Sequence, residues 1–168
     1  MTDLPGWLKH GTVWLLLGLG LFLGVQAWQS GAQASRFSVS GANVEIQRSP
    51  DGHYHWPGRI NGRAVEFLVD TGATSTAIPE ALARELGLQA QGSVQSSTAG
   101  GVVRGSVVVA NVDLQGGVAA DRLRIVALPG LAAPLLGMDV LGRLRWEQRD
   151  GRLRVQGAGA NADAGAAR

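Results

Sequence analysis

Residues Val65-Glu66-Phe67-Leu68-Val69 form a short apolar run that follows the turn signal Asn61-Gly62 and ends on Asp70-Thr71-Gly72. An Asn-Gly pair favours a two-residue hairpin in which both turn residues take positive φ, so Arg59-Ile60 and Arg63 through Val69 are expected to pair as strands. The hairpin therefore delivers a carboxylate to the place where a buried strand ends. A charge there is costly unless it is a solvated turn residue or shares a proton with a second carboxylate. The tripeptide occurs once in 168 residues, so a matching carboxylate has to come from another molecule.

Composition narrows the classes that such a site belongs to. The chain, at 17.5 kDa, fits one domain of ordinary size and leaves no room for two lobes. Hydrophobic residues make up 45% and glycines number 25, with 5% aromatics, which suits short strands and many turns around one core. A net charge of +2, carried by arginines with Lys9 as the only lysine, gives no basis for nucleic-acid binding. The absence of cysteine removes disulfides, thiol nucleophiles and zinc-thiolate sites. His53 and His55 share one face if they lie on a strand, but no third ligand is near them in sequence, and no metal or other cofactor is expected.

Gly11 to Ser35 carries no charge, and Val13 to Val25 is apolar throughout. Trp7 and Trp28 stand 21 positions apart, which in a helix is about the ~30 Å of a bilayer's hydrocarbon layer. Residues 11–28 are read as a retained transmembrane anchor. The alternative is a cleaved signal peptide, with Ala32-Gln33-Ala34 as its cleavage site. Lys9 before the run places residues 1–10 in the cytoplasm and the remainder outside, so a bacterial inner-membrane protein with a periplasmic domain is expected, or a periplasmic one if the segment is removed. Gly20 and Gly24 have the spacing that permits close helix pairing in a membrane, and glycine is also common in such helices without that role.

Residues 29–42 are small and polar and read as a flexible tether, 43–156 as the folded domain, and 157–168 as a disordered tail without apolar bulk. Within the domain, Val44 to Arg48 and Tyr54 to Ile60 read as strands about the turn Ser49-Pro50-Asp51-Gly52, the second interrupted by Pro57-Gly58. Pro79 to Leu86 reads as a helix with proline at its first turn and Gly87 as its stop. Val107 to Leu114 and Leu123 to Leu128 supply further strands, Leu135-Leu136-Gly137 a buried strand turning into a short helix, and Asp150-Gly151 a last hairpin. Asp139 at that helix start has a structural explanation through the helix dipole, and Asp51, Asp113 and Asp121 read as turn or surface residues. The arginines at 143, 145, 149, 152 and 154 read as a solvated hairpin face, the alternative being contact with anionic lipid or a partner.

From about Tyr54 to Val155 these residues resemble the retropepsin-like (retroviral-type) aspartic proteases, and within them a bacterial membrane-anchored group. The resemblance rests on the apolar strand into Asp70-Thr71-Gly72-Ala73-Thr74-Ser75, a helix soon after, the glycines Gly100-Gly101, and Leu135-Leu136-Gly137 some 65 positions beyond the aspartate. It implies an all-β, closed-barrel-like retropepsin (acid protease) fold with one or two short helices, here preceded by one transmembrane helix. It also implies a homodimer acting on a peptide or protein substrate, with Asp70 of each copy sharing one proton and activating a water between them. By the same resemblance Thr71 bonds across the dimer, and Gly72 lets backbone N–H groups approach the carboxylates. Gly100 and Gly101 form a mobile flap over the substrate; an ordinary Gly-Gly hairpin turn is the other reading. A non-catalytic peptide-binding or assembly module on the same fold is the alternative function.

Ala73 stands where two-lobed relatives often carry serine, whose hydroxyl would favour the charged form of the aspartate. Peptide cleavage by the purified chain is therefore expected to peak at mildly acidic to near-neutral pH. A pH–rate profile with its maximum at about pH 2, as for a gastric enzyme, would contradict this.

Overall fold

The computed structural model describes residues 14–23, 37–41, 43–98 and 101–156. The chain divides into two compact units, Met1–Arg36 and Phe37–Arg168. In the first, residues 14–23 form helix α1, and each of them is exposed, with Trp14 at 73% and Leu21 at 72%. Apolar side chains ring this helix instead of forming one stripe, the pattern of a helix whose surroundings are apolar on every side. Its described length is about 15 Å, roughly half the hydrocarbon layer, and among the described residues no helix is long and apolar enough to cross a membrane. The ends of the expected anchor 11–28, including Gly24, lie outside the described residues, as do 1–10, 29–36 and 157–168.

In the second unit, chain entry and exit are joined in one antiparallel sheet. Strands β1 (Phe37–Ser40), β2 (Asn43–Gln47), β10 (Arg145–Arg149) and β11 (Arg152–Gln156) are ordered β1-β2-β11-β10. The register Leu153↔Ile46 and Val155↔Val44 puts these four side chains on one face, all buried in the core. Glu45, Arg152 and Arg154 alternate onto the other face, as the two-residue period of a half-buried strand requires. Phe37–Ser40 differs from the sequence expectation, which placed it in the tether. Its Ser-Val-Ser pattern is too small and polar to signal a strand, and it becomes one by pairing with β2 through the left-handed turn residue Gly41 (φ 62°).

The remaining strands form a seven-stranded sheet in the order β3-β4-β9-β5-β8-β7-β6, closed by a further β3–β7 pairing. They are β3 (His55–Ile60), β4 (Arg63–Val69), β5 (Ala77–Pro79), β6 (Gly92–Thr98), β7 (Gly101–Leu114), β8 (Val118–Leu128) and β9 (Leu135–Leu136). Asn61 (φ 48°) and Gly62 (φ 84°) make the expected hairpin between β3 and β4, and Asp150-Gly151 makes the one between β10 and β11. Strand β3 runs on through Pro57-Gly58. Its edges pair with both β4 and β7, and Gly58 lies so close to β7 that a Cβ there would stand 2.8 Å from the Asp113 carbonyl. Strands β7 and β8 are longer than the apolar runs suggested, because pairing along β7 with β6 and β8 carries them past those runs, with an irregularity between Ala110 and Val112.

Trp56, Ile60, Phe67, Ile78, Ile125 and Leu136 fill the barrel interior. The Trp56 indole N–H finds the Gln115 carbonyl at 2.8 Å, which satisfies its one polar group. Helix α2 (Glu80–Glu85) follows β5 directly, buries Ala83, and stops at Gly87 (φ 66°). Helix α3 (Met138–Leu141) follows β9 and buries Val140 and Leu141. Two parallel contacts organise what lies above the core, β4 with β9 and β5 with β8.

On the outer face of the terminal sheet, Glu45 accepts hydrogen bonds from Arg152 and, at 2.8 Å, from Arg154. The Arg154 and Arg152 bonds hold the Glu45 carboxyl below its ordinary value. A lowered folded value means stability that is present above the ordinary glutamate range and lost as pH falls through the folded value. Glu45→Gln is accordingly expected to lower the melting temperature at neutral pH, and the gap to the wild type should close as the solution is acidified. An unchanged gap at acid pH would contradict this.

Candidate active site

Asp70 is placed by the pairing of β4 with β9. The register Leu68↔Leu135 and Val69↔Leu136 sets two apolar strands side by side and parallel, and both end at the same level. The Asp70 N–H then donates to the Leu136 carbonyl at 3.0 Å, one step beyond the ladder. On the other side of β4 the Val69 N–H donates to the Tyr54 carbonyl at 2.9 Å. The aspartate therefore leaves the sheet with its backbone fixed and its side chain half-buried.

Beyond Asp70 the chain turns tightly. The Gly72 N–H donates to Asp70 Oδ1 at 2.9 Å, and the Ala73 N–H to the Asp70 carbonyl at 3.3 Å. A Cβ on residue 72 would stand 3.2 Å from Oδ1, so glycine leaves that oxygen room. Thr71 and Gly72 are exposed at the tip of the turn and Ala73 is half-buried. Asp70, Gly72, Ala73, Thr74 and Ser75 line one wall of a groove of about 810 Å³. Strand β6 supplies the opposite wall through Val94, Gln95, Ser96 and Ser97, with Val126, Leu128, Leu131 and Leu135 as an apolar floor. Among the described residues Asp70 is the only ionisable side chain along it.

Of the residues expected in the flap, Gly101 (φ 110°) opens β7 opposite Thr98 of β6, and Gly100 lies outside the described residues. The antiparallel pair of β6 and β7 that includes Gly101 borders the groove through β6. His53 and His55 do not share a strand face. His53 sits in the turn before β3, and His55 has Nε2 at 2.8 Å from Asp51 and Nδ1 at 3.0 Å from Glu66. Among the described residues no group of three or more histidine, aspartate or glutamate side chains is arranged to hold a metal ion.

Sequence reasoning missed Thr76. It is the one polar residue in the core among the described residues, fully buried at the start of β5. Its N–H donates to Asp139 at 3.0 Å (Oδ1) and 2.9 Å (Oδ2), and its hydroxyl donates to Asp139 Oδ1 at 2.8 Å. The same hydroxyl accepts the Gly137 N–H at 3.2 Å, and the Thr76 carbonyl accepts the Val126 N–H at 3.0 Å. Asp139 Oδ1 also receives the Val140 N–H at 3.0 Å, so Asp139 does meet the start of α3 as its position suggested. Its main partner is nonetheless Thr76, 63 residues away. No local pattern encodes a bond of that span.

The structure explains why glycine follows Leu135-Leu136. A Cβ there would lie 2.5 Å from the Ser75 carbonyl carbon and 2.7 Å from the Thr76 nitrogen, both rigid backbone. The turn after β9 and the turn after β4 thus touch main chain to main chain, with Met138 N–H on the Ala73 carbonyl (2.8 Å) and Asp139 N–H on the Thr74 carbonyl (3.1 Å). Gly137→Ala is expected to cost roughly 1–3 kcal/mol through overpacking, read as a lower melting temperature. Stability equal to the wild type would show that the two turns are not in this contact.

The family described as "gag-polyprotein putative aspartyl protease" matches residues 56–143, a span that contains Asp70 and Gly137. An uncharacterised protein of Rickettsia prowazekii, strain Madrid E, is 28% identical over 113 residues, 66% of this chain. The chain spans about half the length, 49%, of that relative. Among solved structures, a retropepsin-like aspartic protease from Rickettsia conorii superposes with a TM-score of 0.55 at 22% identity, covering 71% of this chain and 92% of the other. The EIAV protease complexed with the inhibitor HBY-793 superposes with a TM-score of 0.49 at 18% identity, covering 58% and 93%.

Proposed function

The chain belongs to the gag-polyprotein aspartyl protease family, and from that premise we propose that it is a homodimeric aspartic endopeptidase in which Asp70 of each copy forms half of the catalytic pair. The observation that carries this reading is the groove itself. It is lined by a carboxylate with one oxygen held by the Gly72 N–H, and among the described residues it holds no second acid. Within one copy, Asp139 is the other carboxylate of the loop, and both its oxygens are already occupied by Thr76. A second copy supplies the missing partner.

In such a pair one Asp70 is ionised and the other protonated, because two close like charges cannot both ionise. The ionised carboxylate takes a proton from a water held between them, and the water oxygen attacks the peptide carbonyl. The protonated partner donates to the carbonyl oxygen, and the roles reverse as the leaving amine takes its proton. The exposed Thr71 stands beside Asp70 on the side away from the core, where a hydroxyl bond to the second copy would hold the two turns in register. The substrate is an extended peptide lying along β6, whose outer edge is unpaired among the described strands.

The reading includes an inner-membrane location with the catalytic domain in the periplasm. Helix α1 supports it, since exposed apolar side chains on all its faces are stable only in apolar surroundings.

Asp70→Asn in the full chain is expected to reduce cleavage of a diverse peptide library by at least roughly 100-fold, while circular dichroism and sedimentation stay those of the wild type. Cleavage unchanged in that variant, or cleavage by a chain that sediments as a strict monomer, overturns the mechanism. Peptide binding by the wild type without any cleavage points instead to the binding-module alternative.

A further inference from the structure

We propose that Asp139 acts through Thr76 as the positioning residue that fixes the Asp70 carboxylate, so that this pair sets the rate of the chemical step without touching substrate. The inference rests on the reading of Asp70 as catalytic, but its physical content is independent of it.

The segment between Asp70 and Thr76 has no apolar anchor. From Asp70 to Ser75 no residue is fully buried, and Thr71, Gly72, Thr74 and Ser75 are exposed. A stretch of small polar residues gains almost nothing from the hydrophobic effect, so hydrogen bonds have to hold it. Those bonds run to one partner segment, residues 136–139. Asp70 N–H reaches Leu136, the Ala73 carbonyl receives Met138, and the Thr74 carbonyl receives Asp139. Each is a single backbone bond. The segment becomes buried only at Thr76, and there Asp139 closes it with both oxygens.

The donor and acceptor count is complete. The Thr76 hydroxyl accepts from Gly137 N–H, so its proton is directed at Asp139, and the carboxylate meets donors only. Charge-assisted bonds of this kind are the strongest available to a loop. Removing the hydroxyl leaves the buried Gly137 N–H without its acceptor and takes from Asp139 Oδ1 its side-chain donor, leaving it the Thr76 and Val140 N–H groups. The amide of an asparagine at 139 presents N–H to a site built entirely of donors. Either change releases the C-terminal end of the Asp70 turn while the barrel core, built on Trp56, Phe67 and Ile125, keeps its contacts.

The test compares Thr76→Val, Thr76→Ser and Asp139→Asn in the full chain. For Thr76→Val and Asp139→Asn, kcat on a cleaved peptide is expected to fall roughly 10- to 100-fold with KM changed less than about twofold, while Thr76→Ser stays within about threefold of the wild type. A second measurement needs no activity. In an Asp70→Asn background, adding Thr76→Val should speed amide hydrogen exchange at Gly72, Ala73 and Met138 and leave Ile125 unchanged. Equal kcat in all three variants, a drop in Thr76→Ser as large as in Thr76→Val, unfolding of the variants, or exchange that is unchanged or rises uniformly would each overturn the proposal. Should the wild type cleave no peptide, the proposed function falls while the exchange experiment still decides on the positioning pair.

Discussion

Everything at the site depends on the parallel contact between β4 and β9, two strands that end side by side. Their last rungs, Val69 and Leu136, bring the two following turns against each other, and the Asp70 N–H extends the ladder by one bond to Leu136. The contact is tight because Gly137 has no side chain, so that the main chain of Ser75-Thr76 lies where a Cβ would be. A buried backbone approach of this kind leaves no slack, since every N–H and carbonyl must find a partner within it. The partners are those of the facing turn.

Two aspartates within this small region have opposite surroundings. Asp139 is half-buried and takes donors from Thr76 on both oxygens and from Val140 on Oδ1. Asp70 receives the Gly72 N–H on one oxygen and opens on a groove with an apolar floor and, among the described residues, no other charge. A carboxylate saturated with hydrogen bonds stabilises a fold, whereas one left with free acceptor capacity at a concave apolar surface is available for proton transfer. The two acids differ in environment alone, as the residue type is the same.

The terminal sheet gives the domain its rigidity from the other end. Val44 and Ile46 on β2 interleave with Leu153 and Val155 on β11, so the second and last strands of the domain share one buried face. Chain entry is thereby tied to chain exit within a single copy, and Tyr54, immediately before β3, accepts the Val69 N–H at its carbonyl. The site turn is held from β9 on one side and from this region on the other.

Much of this was legible in the residues. Asn61-Gly62 and Asp150-Gly151 specify hairpins through positive φ, the apolar run to Val69 specifies a strand, and Pro79 with Gly87 brackets α2. The position of Asp70 at the end of a buried strand followed directly. Local pattern was silent on β1, whose Phe37–Ser40 becomes a strand only because β2 is there to pair with it, and on the full lengths of β7 and β8, set by cross-strand partners. It was silent above all on Thr76, an ordinary residue in a polar stretch until Asp139 meets it. The sequence by itself determined which acid stands at the strand end and which strand presents it, because turn chemistry and side-chain alternation act over a few residues. Only the tertiary structure decided what holds that acid in place, because the holding bonds join segments more than sixty residues apart, and their strength comes from a burial that no single segment possesses alone.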